Sequence, residues 1–200
     1  LKKVGVLISG RGTNLQALID AAAAGVLGGE IAVVVSNVEG APGLERARRG
    51  GVPAVVCDHR RRPREEHEAE VAGILGAHGV DLVCLAGYMR LLSPAFLRAF
   101  PGRVLNIHPS LLPAFPGKDA QRQAWEHGVK VSGATVHVVD EGLDAGTIVA
   151  QEAVPVLEDD GPEELAARIL AAEHRIYPKA VRVMLEGRVR LEGRRLRIEG

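Results

Sequence analysis

Five short, β-branched, nearly continuous apolar runs punctuate the first 108 residues, and their spacing limits the fold more than any other feature. They are Lys3-Val4-Gly5-Val6-Leu7-Ile8-Ser9, Ile31-Ala32-Val33-Val34-Val35-Ser36, Pro53-Ala54-Val55-Val56-Cys57, Asp81-Leu82-Val83-Cys84-Leu85-Ala86 and Val104-Leu105-Asn106-Ile107-His108. Runs of this kind are strands covered on both faces, and helical patterns separate most of them: Leu15 to Ala24, Leu44 to Arg49, and Arg64 to Ala77. Such alternation implies right-handed crossovers and an open, mostly parallel twisted α/β sheet with helices on both faces.

After His108 the rhythm changes. A Pro/Gly-containing loop leads to a short helix near Ala120 to His127, then to strands over Gly133 to Val139 and Ile148 to Val156, one of which is expected to run antiparallel. A long helix from Pro162 to about Leu185 follows, its start marked by proline near the first helical position and by Glu163 and Glu164 in the first turn. Arg188 to Leu191 and Arg195 to Ile198 flank Glu192-Gly193-Arg194 and predict a small terminal hairpin. Two hundred residues suit one domain over 1–200, burying roughly 70% of the extended chain's surface.

Twenty-five basic and twenty-five acidic residues cancel, which gives no electrostatic reason to expect nucleic acid or an anionic membrane as partner. The 3% aromatic content also argues against base-stacking platforms. Cys57 and Cys84 each lie in an apolar run without a C-x-x-C partner and read as reduced core thiols. No basic-then-apolar leader precedes Val4, and no apolar stretch approaches the roughly 18 residues that span a bilayer, so the expected location is cytoplasmic.

The chemistry concentrates in Asn106-Ile107-His108-Pro109-Ser110-Leu111-Leu112-Pro113-Ala114 and in Asp144 of a later loop. Residues i and i+2 of a strand point to one face, so Asn106 and His108 project together while Ile107 enters the core. A carboxamide and a protonated imidazole can hold an oxygen that turns negative at a tetrahedral carbon, one such donor being worth on the order of 2.7 to 4 kcal/mol. A nearby Asp144 favours the imidazolium by opposite charge and readies it as a general acid. Taken alone, a histidine at a strand end also fits an ordinary hydrogen-bonded side chain. Thr135 and His137 share a strand face and fit either a supporting layer around His108 or a buried structural pair.

Ser9-Gly10-Arg11-Gly12-Thr13-Asn14 leaves the first strand and opens the first helix, where amides and the helix terminus can hold a phosphate. The third glycine of the dinucleotide fingerprint and a Walker lysine are both missing, which points to a monophosphate. A plain strand-to-helix turn capped by Thr13 or Asn14 fits the same residues. The seven histidines form no H-E-x-x-H or Cys/His cluster, so no metal is expected. Ser110 lacks a nucleophile elbow, and direct transfer suits the region better than an acyl-enzyme. The run Arg60-Arg61-Arg62-Pro63-Arg64 reads as a solvated loop, one member of which can meet an anionic substrate tail. All these places are expected beyond the carboxyl ends of strands, where loops leave for helices.

With these residues in view, the chain resembles the phosphoribosylglycinamide formyltransferase family, folate-dependent enzymes of purine synthesis, from about Val4 to Tyr177-Pro178. The landmarks are Ile8 to Leu15, Ser36-Asn37, Gly43-Leu44-Glu45-Arg46-Ala47, Leu85-Ala86-Gly87-Tyr88-Met89-Arg90-Leu91-Leu92-Ser93, Asn106 to Pro113, and Glu173-His174-Arg175-Ile176-Tyr177-Pro178. The resemblance implies a Rossmann-like formyltransferase fold that moves the formyl group of 10-formyltetrahydrofolate, as cosubstrate, to the amine of 5-phosphoribosylglycinamide. It implies that Asn106, His108 and Asp144 form the catalytic trio, that Gly12, Thr13 and Asn14 hold the phosphate, and that Glu173 holds the sugar or glycinamide end. The folate is expected against Arg64, Met89, Arg90, Leu91 and Leu92, against Asn106, and against Asp140, Glu141, Gly142 and Leu143. Residues 1–108 then form a ribotide half, 109–187 a folate and catalytic half, and 188–200 the hairpin.

Two stretches depart from the family pattern. Lys118-Asp119-Ala120-Gln121 stands where many relatives carry histidines, and Ala145-Gly146-Thr147 where a second glycine or a proline is more usual. Both leave the trio untouched. The partners are expected to be small molecules, and relatives include monomers and homodimers. Rival readings are a formyltetrahydrofolate hydrolase or another formyltransferase on the same scaffold and, from a different class, a non-catalytic nucleotide-binding module resting on the Gly12 loop.

Overall fold

The computed structural model describes residues 1–199. Its strands are β1 (Lys2–Ile8), β2 (Gly29–Ser36), β3 (Ala54–Val56), β4 (Leu82–Leu85), β5 (Val104–His108), β6 (Val131–Val138), β7 (Ile148–Pro155), β8 (Val189–Glu192) and β9 (Arg195–Ile198). The helices are α1 (Thr13–Ala23), α2 (Pro42–Arg49), α3 (Arg64–Ala77), α4 (Pro94–Ala99), α5 (Ala120–Glu126) and α6 (Pro162–Leu185). The first seven strands form one sheet in the order β3-β2-β1-β4-β5-β6-β7, and β8 pairs with β9. Strands β1 to β5 pair in parallel, β6 runs against β5, and β7 runs against β6, so β6 alone opposes the common direction.

Strand alternation sorts the core into two layers. Val4, Val6 and Ile8 of β1 pack with Leu15, Leu18 and Ile19 of α1 and with Leu165, Ile169 and Ile176 of α6. Leu7 faces the other way, into a layer made with Val71 and Leu75 of α3 and Phe96 of α4. Each fully buried aliphatic side chain contributes about 1.5–3 kcal/mol of transfer free energy. Both sheet faces therefore need apolar residues at consecutive positions, which explains the continuous runs of the sequence.

The element order follows the sequence reading, with shifts at the ends; β3, for instance, shrinks to three residues. Helix α4 is new. Six residues are too few to show a 3.6-residue period, although Ser93-Pro94 carries the local signal. The Ser93 hydroxyl accepts the Phe96 N–H at 3.2 Å, and Pro94 fills the first helical turn, where its missing N–H costs nothing. Among the described residues no helix is long and apolar enough to cross a membrane.

Helix α6 joins the two ends of the chain's chemistry. Its start is set by Pro162 and by Glu164, whose carboxylate accepts the Gly161 N–H at 2.9 Å. Tyr177 is wholly buried and donates its hydroxyl to the Leu85 carbonyl (2.8 Å) and the Leu105 carbonyl (3.3 Å), bridging β4 and β5. One turn earlier, Glu173 is 6% exposed and accepts one hydrogen bond, from Asn14 Nδ2 at 3.1 Å. Burial pushes its pKa up to about 7, against the pull of the Asn14 amide.

Two outcomes follow from α6. Tyr177→Phe removes the donor from buried carbonyls and is expected to cost about 1–3 kcal/mol, read as a lower urea midpoint with unchanged slope. Glu173 has a folded pKa above its ordinary value of 4.5, so its contribution to stability is present below that value and lost as pH rises through about 7. Glu173→Gln is therefore expected to match the parent near pH 4.5 and to exceed it near pH 8 by roughly 3 kcal/mol at most, measured by denaturant unfolding without ligand.

Candidate active site

Asn106 and His108 leave β5 on the sheet face opposite α1 and α6, with Leu105 and Ile107 buried behind them. Across the strand pair, Asn106 stands opposite His137 and His108 opposite Thr135. Asn106 Nδ2 lies 3.4 Å from His137 Nε2, while His137 Nδ1 lies 3.2 Å from the Val138 carbonyl. Asn106 Nδ2 carries two hydrogens, so its contact with His137 leaves one available. Asp144 closes the group, its Oδ2 3.4 Å from His108 Nδ1 and its Oδ1 3.6 Å from His137 Nε2. Asp144 also accepts the Gly117 N–H at 2.8 Å. Burial raises its pKa, but the His137 imidazole, the Gly117 N–H and the His108 ring together outweigh burial and hold it below the ordinary carboxylate value.

The other His108 nitrogen is committed, since Nε2 donates to the Phe115 carbonyl at 2.8 Å. Nothing in the sequence signals that contact. Thr135 and His137, which the sequence leaves as a pair, separate here into two roles. Thr135 ties down the loop after β5: its hydroxyl donates to the Ser110 carbonyl (2.7 Å) and accepts from the Leu112 N–H (3.1 Å). His137 touches both Asn106 and Asp144 and belongs to the polar cluster itself. Ser110 is fully buried, and its hydroxyl donates to the Ala114 carbonyl at 2.5 Å, which removes it as a nucleophile.

One placement differs from expectation. Asp144 does not come from a loop that leaves a parallel strand for a helix. Because β6 is antiparallel, Val138 pairs with Leu105, and the Val139 N–H reaches the Val104 carbonyl at 2.8 Å. The connection from β6 to β7 therefore starts beside the amino end of β5 and folds back along the sheet to reach His108. Its closing turn requires Gly146: an added Cβ would sit 1.7 Å from the Val138 carbonyl oxygen. Asp144 itself has φ of 50°, a left-handed conformation uncommon for a residue with a side chain.

The other predicted residues fall into two groups. Gly12 caps α1 with φ of 72°, and the first amides of that helix have no acceptors within it. Asn14 donates to Glu173, and its Oδ1 is buried without a partner. In the second group Met89 and Leu91 are exposed, while Arg90 and Leu92 are half-buried. Arg64 Nη2 donates to the Leu91 carbonyl (2.6 Å) and Nε to Glu68 (3.0 Å); Glu68 in turn accepts from Ser93. Arg64 thus shapes the 89–92 segment, and Glu68, whose part the sequence did not reveal, anchors it. Ser9 joins the groups, its hydroxyl accepting the Met89 N–H at 2.9 Å. Asp140, Glu141, Gly142 and Leu143 form the outer part of the returning loop, with Asp140 accepting the Gly142 N–H at 2.9 Å and Leu143 exposed.

The basic run is the solvated loop expected of it, with Arg60, Arg61 and Arg64 exposed; Arg60 pairs with Asp58 (2.5 Å) and the half-buried Arg62 with Glu70 (2.6 Å). Cys57 and Cys84 are free and buried, and burial pushes the Cys84 thiol up to about 12. Among the described residues no group of three or more His, Cys, Asp or Glu side chains is placed to hold a metal ion.

Residues 2–181 match the formyl transferase family. A trifunctional purine biosynthetic protein adenosine-3 of Drosophila melanogaster is 50% identical over 189 residues, which are 93% of this chain but only 14% of the fly protein. The chain thus spans a small part of that relative. A phosphoribosylglycinamide formyltransferase of Haemophilus influenzae is 42% identical over 201 residues, covering 100% of this chain and 95% of the relative. The crystal structure of glycinamide ribonucleotide transformylase 1 from Symbiobacterium toebii superposes with a TM-score of 0.97 at 59% identity, over 100% of this chain and 95% of that one. The chain belongs to the formyl transferase family and, within it, groups with the phosphoribosylglycinamide formyltransferases.

Proposed function

We propose that the chain transfers the formyl group of 10-formyltetrahydrofolate, its second substrate, to the amine of 5-phosphoribosylglycinamide by direct attack through a tetrahedral intermediate. The observation that carries the reading is the meeting of Asn106, His108, His137 and Asp144 in one largely buried cluster, with contacts of 3.4 to 3.6 Å. Gly12, Thr13 and Asn14 hold the phosphate on the amides and positive end of α1. The buried, unpartnered Asn14 Oδ1 and the neighbouring Glu173 suit O–H or N–H groups of the sugar or glycinamide end. The folate lies against Met89, Arg90, Leu91 and Leu92 and against residues 140–144, with Arg64 fixing the first of these segments.

The amine needs little activation, because an α-amino group has a reference pKa of about 7.7–8 and a useful fraction is neutral at physiological pH. The harder tasks are to stabilise the oxyanion and to protonate the departing folate nitrogen. Asn106 offers its free Nδ2 hydrogen to the oxyanion, while His137 holds the amide in place. His108 joins it as a donor once Nε2 leaves the Phe115 carbonyl, and the negative Asp144 balances the imidazolium charge. Asp144, through His108 or an ordered water, serves the proton transfer to the leaving group. With Ser110 engaged by backbone, no acyl-enzyme is required.

The purified protein is expected to deformylate the folate only when the ribotide is present, followed spectrophotometrically; formate release without ribotide would favour the hydrolase instead. His108→Ala and Asp144→Asn are each expected to lower turnover at least about a hundredfold while leaving the fold intact by circular dichroism. Activity of either variant near that of the parent would remove the trio from the mechanism.

A further inference from the structure

The Gly43-Leu44-Glu45-Arg46-Ala47 stretch has no part in the chemistry described so far, yet α2 is docked directly beneath the Gly12 loop. The Gly43 N–H donates to the Gly10 carbonyl at 3.0 Å. Arg46 Nε donates to the next carbonyl, that of Arg11, at 2.8 Å, and its Nη1 lies 3.5 Å from Gln16 Oε1 on α1. The approach is close: a Cβ on Gly12 would fall 2.7 Å from Gly43 Cα. Two consecutive carbonyls are therefore held on the α2 side.

In a trans peptide the carbonyl and the following N–H point in opposite directions. Fixing the Gly10 and Arg11 carbonyls toward α2 thus turns the Arg11 and Gly12 amides away from it. Gly12 tolerates this at φ of 72° because it has no side chain. Arg46 is half-buried, and its planar guanidinium gives the Nε–H a set direction that an ammonium would lack.

We propose that Arg46 is a positioning residue for the substrate's phosphate: with the Gly43 amide it holds two loop carbonyls on α2 and so presents the Arg11 and Gly12 N–H groups to the anion before binding. The inference rests on reading the Gly12 loop as the phosphate site and deepens that reading. Preorganised donors avoid the cost of ordering a loop at the moment of binding. The effect belongs to ligands that carry the phosphate and to no others.

The test compares 5-phosphoribosylglycinamide with its dephosphorylated riboside as substrates of Arg46→Ala and Arg46→Lys. The alanine variant is expected to raise KM for the ribotide at least about tenfold, with kcat and the folate KM within about twofold of the parent and kcat/KM on the riboside unchanged. Arg46→Lys keeps the charge but lacks the Nε–H, and its ribotide KM is expected to stay near that of the alanine variant. An equal loss on the riboside would make Arg46 a general support of the fold and overturn the proposal, as would full rescue by lysine, which would leave charge as the only requirement. Two-dimensional amide NMR of the parent titrated with the ribotide separates the two readings. Unmoved Arg11, Gly12 and Thr13 resonances would remove the loop as phosphate site and the proposal with it, whereas shifted resonances with an unaltered ribotide KM in Arg46→Ala would sink the role of Arg46 alone.

Discussion

Because β6 runs against β5, Asn106 and His137 face each other as a direct cross-strand pair, and the connection from β6 to β7 begins at the amino end of β5. A parallel strand at this place would have sent its connection to the opposite end of the sheet. Instead the returning loop lies along the face that carries Asn106 and His108, and its carboxylate reaches both histidines. The reversal also ends the run of strands covered by helices on both faces. The apolar layer that α3 and α4 complete on this face draws on β1, β2, β4 and Val104 of β5, and among the described residues no buried residue of β6 or β7 belongs to it.

Two carboxylates, the half-buried Asp144 and the buried Glu173, show how desolvation is resolved in opposite directions. Asp144 has a backbone N–H and two imidazoles around it, and these outweigh burial. Glu173 has one neutral amide, and burial prevails. The difference fits the work proposed for each. A carboxylate that balances an imidazolium has to be ionised, whereas one that meets sugar hydroxyls or an amide can act in either state. Glu173 thus costs stability at neutral pH, a cost that the substrate hydrogen bonds proposed for it would offset.

The fold was legible because burial on both sheet faces forces continuous apolar runs, and those runs are visible in one dimension. The nearness of Asn106 and His108 was legible for a related reason, since strand alternation fixes two positions two residues apart. Helix α4 escaped because its evidence is a cap and a proline rather than a period. The path of the Asp144 loop escaped because antiparallel pairing of β6 with β5 is a long-range choice, and local residues did not say which end of the sheet the loop would leave from. The Phe115 contact was beyond reach for a simpler reason: a backbone carbonyl has no side-chain identity for a sequence to display.

Among the described residues, three of the four non-glycine residues with positive φ lie around this site, Arg61 in the basic loop being the fourth. Phe115 (φ 50°) and Asp119 (φ 55°) lie in the loop after β5, and Asp144 (φ 50°) lies in the loop that folds back over it. Such conformations cost of order 1 kcal/mol or more each and persist only where surrounding contacts hold them. Here the holding contacts belong to the polar cluster itself: Phe115 is tied to His108 through its carbonyl, and Asp144 to Gly117 and to the two histidines. A substrate oxygen that draws His108 Nε2 away from Phe115 removes one restraint from a loop already under strain. In the mechanism proposed above, relief of that strain offsets part of the cost of freeing the donor for the formyl oxygen.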